Sequence, residues 1–260
     1  MRLKKTLATI AAMAAGFTML ATPVAGADTK PGDAIDYSMS FGNTNPVVAY
    51  PGAPVHTIVG GDTDRSCSLG PRMVDGKTDR VYFAIAGHCV AAAGVDSTVY
   101  FDHNDAPAGK VRWIDPRINE SEVAYDLAVI EVTDPDAAGY TSIVPNLNKL
   151  PVDRAASPIG NFTLDNFGDS RGTICAIGRK SDLRCGTAVK ADGDYAYGFK
   201  FDSISGDSGG IAFAVDNDKN IYPVGVVSGV SELVGGGKVS MVTDIDLARE
   251  GGYTLWHGTN

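Results

Sequence analysis

Gly206-Asp207-Ser208-Gly209-Gly210 is the stretch from which the chain is best read. A serine hydroxyl is a poor nucleophile at neutral pH, so a Ser in a glycine-rich turn gains meaning only if a base can reach it. Upstream, the apolar run Val81-Tyr82-Phe83-Ala84-Ile85 leads into Ala86-Gly87-His88-Cys89 and reads as a strand that delivers His88 to the loop at its end. Ala124-Tyr125-Asp126 precedes a second such run, Leu127-Ala128-Val129-Ile130-Glu131-Val132, and sets a carboxylate at its mouth. The order along the chain is His, Asp, Ser.

That order, in those three local contexts, resembles the chymotrypsin-like serine peptidases over nearly all of residues 58–250, and in pattern the bacterial streptogrisin and α-lytic type secreted proteases. Gly-Asp-Ser-Gly-Gly by itself also fits the Gly-x-Ser-x-Gly elbow of the α/β-hydrolases. The resemblance implies a serine endopeptidase in which His88 takes the Ser208 proton and returns it to the leaving amine, while Asp126 fixes the imidazole tautomer. It also implies an oxyanion hole made by the backbone N–H groups of Gly206 and Ser208. The implied architecture is all-β: two packed antiparallel six-stranded β-barrels with the triad in the cleft between them, and a short C-terminal helix. Three rivals stand beside this reading: a protease-like binding module without turnover, a serine esterase, and an α/β-hydrolase using His257 with Asp244 or Asp246. The last is disfavoured because that fold alternates helices with strands and few stretches here read as helical.

Composition narrows the partners. The 260 residues carry a formal net charge of -9, with 20% charged and 44% hydrophobic residues, the balance of a globular protein. Such acidity argues against nucleic acid or an anionic membrane surface. Met1 to Ala27 has a basic start (Arg2, Lys4, Lys5), an apolar middle from Leu7 to Leu20 and a small-residue site at Ala25-Gly26-Ala27, the pattern of a signal peptide. A secreted, extracellular protein is expected, with no later run able to span a bilayer. Four cysteines in an exported chain suggest two disulfides. The family resemblance pairs Cys67 with Cys89, beside His88, and Cys175 with Cys185. A zinc reading lacks any Cys-x-x-Cys spacing. No sequence feature calls for a cofactor, a metal or an obligate oligomer, so a monomer acting on protein or peptide substrate is expected.

Along the chain, residues 28–57 are rich in Asp, Asn, Pro and Gly and read as a short pro-segment or N-terminal arm. A first barrel over 58–150 carries His88 and Asp126, and a second over 151–260 carries Ser208 and the specificity pocket. Expected first-barrel strands are Val81 to Ala86, Ser97 to Phe101, Lys110 to Ile114 and Leu127 to Val132, with His103 in a polar turn. A polar, proline-marked connection runs from Asp134 to Asp153. Asp216-Asn217-Asp218-Lys219-Asn220 has calcium-loop spacing, but Ile221 stands where that loop needs glycine, so a hairpin turn is expected. Asp246-Leu247-Ala248-Arg249-Glu250 before Gly251-Gly252 reads as a short helix with a glycine stop.

Two further expectations follow from the resemblance. Ile58-Val59-Gly60-Gly61 is similar to the start of mature trypsin, whose freed amino group pairs with the Asp before the nucleophile. The streptogrisins use an internal arginine instead. Their relatives place it directly after the first cysteine of a disulfide-closed hairpin, where this chain has Ala176, so Arg179 is the expected partner of Asp207 and the Ile58 amino group the alternative. Asp202, six residues before Ser208, resembles the aspartate at the floor of the trypsin pocket and implies cleavage after Lys or Arg; the alternative is that Asp202 ends a strand and faces solvent, since Ile204 replaces the cysteine that braces this loop in trypsin. The pocket wall Ser228-Gly229-Val230 has a valine where glycine would leave the entrance open, an opposing steric signal that resembles elastase.

Overall fold

The computed structural model describes residues 49–102, 105–120, 123–133, 173–191, 196–215, 221–233 and 236–256. The signal peptide, most of the arm, His103, the 134–153 connection, the 216–220 turn and His257 lie outside these residues.

Two antiparallel sheets make up the fold. The first contains β1 (Pro54–Val59), β2 (Asp62–Ser68), β3 (Arg72–Val74), β4 (Tyr82–Ile85), β5 (Thr98–Phe101), β6 (Pro107–Ile114) and β7 (Ala128–Val132). The second is a closed six-stranded barrel of β8 (Thr173–Gly178), β9 (Asp182–Ala191), β10 (Ala196–Phe199), β11 (Ile211–Val215), β12 (Ile221–Glu232) and β13 (Lys238–Asp244). A 3-10 helix, Ile245–Gly251, and a short strand, β14 (Thr254–Leu255), follow.

The first sheet runs in the order β14-β3-β4-β7-β6-β5-β1-β2. Its ends are joined by the chain itself, because β2 and β3 are separated only by Leu69-Gly70-Pro71. Across that gap Gly70 N–H donates to Ala84 O at 2.8 Å and Ala84 N–H to Pro71 O at 2.9 Å, which carries the β3–β4 ladder back to within two residues of β2 and curls the sheet. Pro71 lacks an N–H, which is tolerated only at such a break. The closed six-stranded barrel expected of both halves is therefore formed by the second, while the first is a curled eight-stranded sheet with β14 and β2 at its ends.

Two sequence expectations shift here. The boundary at Ile58 falls inside β1, which pairs with both β2 and β5, so residues 54–57 belong to the first sheet and not to the arm. Ile58-Val59-Gly60-Gly61 forms the turn into β2: Val59 pairs with Asp62, and Gly60 and Gly61 have φ of 65° and 98°. Positive φ at both central positions is the two-residue hairpin geometry that glycine favours. The Ile58 amino group is therefore a strand amide in this structure. At the other end, β14 leaves the second half of the chain and pairs with β3, so the C-terminal segment straps the two sheets together.

Burial explains why the strands flanking the site show no alternation. On β4, Phe83 and Ile85 enter the first core while Tyr82 and Ala84 face a different cluster; on β7, Ala128, Ile130 and Val132 enter the first core while Val129, with Leu127 just before the strand, faces that same second cluster. The second cluster includes Val226, Ile245, Leu247 and Ala248, and forms the seam between the sheets. Strands buried on both faces read as continuous apolar runs. The short C-terminal helix is a 3-10 helix capped by the Asp244 carboxylate, which accepts from Asp246 N–H at 2.8 Å, and it stops at Gly252 in the left-handed region.

Candidate active site

Strand pairing brings His88 and Asp126 together. Ile85 is paired with Ala128, so the residues after β4 and before β7 emerge at the same end of two bonded strands. A 3-10 turn, Gly87–Cys89, then sets the imidazole over the carboxylate. Asp126 is fully buried; its Oδ1 accepts the His88 backbone N–H at 2.7 Å and its Oδ2 lies 2.8 Å from His88 Nδ1. A carboxylate accepts only, so Nδ1 carries the proton and neutral His88 presents Nε2 as a lone pair. Desolvating a carboxylate costs several kcal/mol, and charge-assisted bonds of this kind offset it.

Ser208 comes from the second barrel. Gly209 N–H donates to Val227 O at 2.6 Å and Val227 N–H to Gly210 O at 2.9 Å, which fasten the turn to β12. Ser68, fully buried at the end of β2, fastens it to the first sheet: its N–H donates to Ser208 O at 2.8 Å and its hydroxyl to Gly206 O at 2.9 Å. Gly209 is required by this approach, since a Cβ there would lie 2.2 Å from Ser68 O, at a φ of +85°. Ser208, Gly206, Ser205 and His88 line one cleft of about 290 Å³ together with Asp64, Arg65, Ser66, Cys67 and Lys180. Among the described residues no hydrogen bond joins Ser208 to His88. The backbone N–H groups of Asp207, Gly209 and Gly210 are spent on Ile204 O, Val227 O and Asp207 O, whereas those of Gly206 and Ser208 donate to no acceptor among the described residues. Gly206, at φ +104°, makes the turn that separates these two donors from the rest.

Both expected disulfides are formed. Cys67–Cys89 has a Cα–Cα distance of 6.2 Å and Cys175–Cys185 one of 4.0 Å, the latter across directly paired positions of β8 and β9. The Cys67 and Cys89 sulfurs and a His88 nitrogen lie within 4.8 Å of one another, but the sulfurs are bonded to each other and so are not thiolate ligands. Each bridge closes a short loop and contributes about 3 kcal/mol. Reduction under native conditions should therefore lower the melting temperature, and loss of Cys67–Cys89 should also lower turnover because that bridge packs against His88. The matched pair of Cys→Ser variants at each bridge, compared by melting and by activity, checks the difference.

Asp207 is not held as expected. Its carboxylate, 2% exposed, accepts from Lys180 N–H and Ser181 N–H at 3.0 Å each, from Ile204 N–H at 2.8 Å and from the Ser181 hydroxyl. Arg179 contributes its backbone N–H to Ser68 Oγ at 2.9 Å, while its guanidinium pairs with Asp102, which also takes His56 Nδ1 at 3.1 Å. The reason is reach: Asp207 packs directly on Gly178, where a Cβ would lie 2.5 Å from Asp207 Cβ, so nearby amides and the Ser181 hydroxyl satisfy the acid before the Arg179 guanidinium can. Asp207→Ala strands four donors, two of them on buried Ser181, and should cost about 3 kcal/mol, whereas Arg179→Gln should cost much less. Urea melts of the two variants test this; equal losses would restore Arg179 as the partner.

The pocket residues separate. Asp202 is exposed and Val230 is 50% exposed, and both line a cleft of about 320 Å³ with Phe201, Ser203, Ile204, Ser205, Lys238, Val239 and Ser240. Ser228 is buried away from that cleft, its hydroxyl bonded to Thr243, which donates in turn to Val123 O at 2.6 Å. Asp202 is thus not a buried carboxylate at a closed floor. Sequence reading missed Ser68, Ser181 and Lys238: a lone Ser or a Lys after a glycine run carries no periodic signal.

No protein-family model matches the chain, and no curated protein matches its sequence. Solved structures do. Protease A of Thermobifida fusca is 20% identical with a TM-score of 0.54, covering 82% of this chain and all of that one. A glutamic-acid-specific serine protease, described as using a histidine triad in substrate binding, is 18% identical with a TM-score of 0.54, covering 80% of this chain and all of that one. A Nocardiopsis protease is 18% identical with a TM-score of 0.50, covering 80% of this chain and 99% of that one. The chain has the chymotrypsin-like fold of these serine proteases.

Proposed function

We propose that the chain is a secreted serine endopeptidase acting on protein or peptide substrates through Ser208, His88 and Asp126. One observation carries the reading: a buried Asp126 holds His88 by two hydrogen bonds, with Ser208 on the wall of the same cleft. In the reaction Ser208 Oγ attacks the scissile carbonyl carbon as His88 Nε2 takes its proton. The tetrahedral oxyanion is met by the Gly206 and Ser208 N–H groups, each such donor contributing about 3–4 kcal/mol where measured. Collapse returns the proton from His88 to the leaving amine and leaves an acyl-enzyme, which water resolves by the same two transfers. Secretion is supported by the basic, apolar and small-residue order of Met1 to Ala27 and by the two disulfides.

The inactive-module rival drew support from Ala176 in place of an arginine. Ser181 and nearby amides supply Asp207 with four hydrogen bonds instead, which removes that support. The preference for Lys or Arg rested on a buried Asp202. With that carboxylate exposed, its ion pair to a substrate cation is solvent-screened, and the basic preference loses its basis.

Treating the secreted protein with a serine-directed phosphonate and mapping the adduct tests the proposal. Modification at Ser208 with loss of peptide hydrolysis is expected; hydrolysis that survives complete labelling, or an adduct elsewhere, sinks it.

A further inference from the structure

We propose that the cleft beside Ser208 receives an acidic substrate side chain, Glu or Asp, immediately before the scissile bond, and that Lys238 selects it. This rests on the peptidase reading of Ser208.

The location is set by shared walls. Ser205 lines both the His88–Ser208 cleft and the 320 Å³ cleft, so the two meet at that residue, and the latter is the cleft assigned to the side chain next to an acylated carbonyl. That second cleft shares Phe201, Asp202 and Lys238 as lining residues with a third, of about 430 Å³. Lys238 is the first residue of β13, and Ser240, two positions on, faces the same way because side chains alternate along a strand. Ser240 is on the wall of the cleft, and so is Lys238.

Charge then decides what fits. Arg184, Lys200 and Lys238 line these two clefts against a single carboxylate, Asp202. Glu232 is on the wall of neither cleft, but it sits directly opposite Lys238 in the β12–β13 register, on the same face of the sheet, and offsets part of the Lys238 charge. Among the described residues none of the three cations forms an ion pair. In a chain of net charge -9, three cations against Asp202 and Glu232 leave a small local positive excess that favours an anionic side chain over Lys or Arg. The serines beside it do not compete for the role. Ser240 Oγ–H is committed to Phe201 O at 2.6 Å, and Ser240 Oγ accepts from Ser203 N–H at 3.0 Å, so the 2.6 Å contact with Ser203 Oγ takes the Ser203 proton. Lys238 is left as the strong donor at this wall, and Val230 at the rim limits the length that can enter.

Matched peptides differing only in the residue before the scissile bond, Glu, Gln, Arg or Ala, should be assayed with the mature secreted protein, Lys238→Met and Lys238→Glu. Lys238 is exposed, as Asp202 is, so the expected result is Glu over Gln by roughly 2- to 5-fold in kcat/KM, the range of a solvent-screened ion pair. Lys238→Met should bring that ratio near one and Lys238→Glu should move preference to Arg, with phosphonate labelling of Ser208 retained in both. Equal cleavage of Glu and Gln peptides, or preference for Arg or Ala in the parent, overturns the inference while leaving the peptidase reading intact. If no peptide is cut, calorimetry with Ser208→Ala and product peptides ending in Glu, Gln or Arg separates the two ideas. Tighter binding of the Glu peptide, lost when Lys238→Met is added, upholds the pocket although the peptidase reading has failed; indifferent binding overturns the pocket as well.

Discussion

Ser208→Ala should lower peptide turnover by about a millionfold, the loss seen where such triads have been dissected, while its melting curve stays close to that of the parent. The two halves of that expectation have separate causes. Ser208 makes no side-chain hydrogen bond among the described residues, so removing Oγ leaves no orphaned buried partner. The turn itself is held by backbone groups, Ser68 N–H to Ser208 O and Gly209 N–H to Val227 O, which an alanine keeps. Turnover falls because the acyl-enzyme cannot form, and neither the remaining imidazole nor the two amide donors can replace a missing nucleophile. His257→Ala, outside the described residues, should hydrolyse peptides at near-parental rates. A Ser208→Ala protein within a hundredfold of the parent would remove this serine from the chemistry.

The site was more legible than its surroundings, for physical reasons. His88 and Asp126 could be found because each sits at the end of a strand buried on both faces, and such strands leave unbroken apolar runs that point to their own termini. The glycines around Ser208 were legible because turn geometry restricts them. Asp207 was misassigned because a buried acid can be satisfied by any nearby donors, and three of its four are backbone or loop amides with no sequence signature. Arg179 looked suitable by type and spacing, yet Gly178 lets the backbone approach so closely that the guanidinium is carried past the acid to Asp102. Ile58-Val59-Gly60-Gly61, kept only as the alternative, is ambiguous in another way: a Gly-Gly pair after two β-branched residues suits a hairpin as well as a trypsin-like start, and the pairing of Val59 with Asp62 decides. Asp202 shows that a residue's distance from Ser208 along the chain does not fix its burial.

Asp126→Asn should lower kcat by about ten thousandfold, as the equivalent change does in a dissected triad, and for a reason visible in the two hydrogen bonds it receives. The carboxylate accepts from the His88 backbone N–H through Oδ1 and from Nδ1–H through Oδ2. An asparagine has one acceptor oxygen and one NH2 donor. The backbone N–H cannot move its proton, so the amide oxygen must face it and the NH2 must face Nδ1. Nδ1 then has to accept, which drives the imidazole proton to Nε2, and a His88 protonated at Nε2 cannot take the proton of Ser208. The fold should tolerate the change, because exchanging a buried charge for a neutral isostere removes a desolvation cost while keeping shape. Asp126→Ala should differ: it also strands the His88 N–H in a buried site and should cost about 1–3 kcal/mol of stability in addition. Steady-state kinetics with thermal melts on both variants separate these effects. An asparagine variant within tenfold of the parent would mean that the His88 tautomer is set by something other than Asp126.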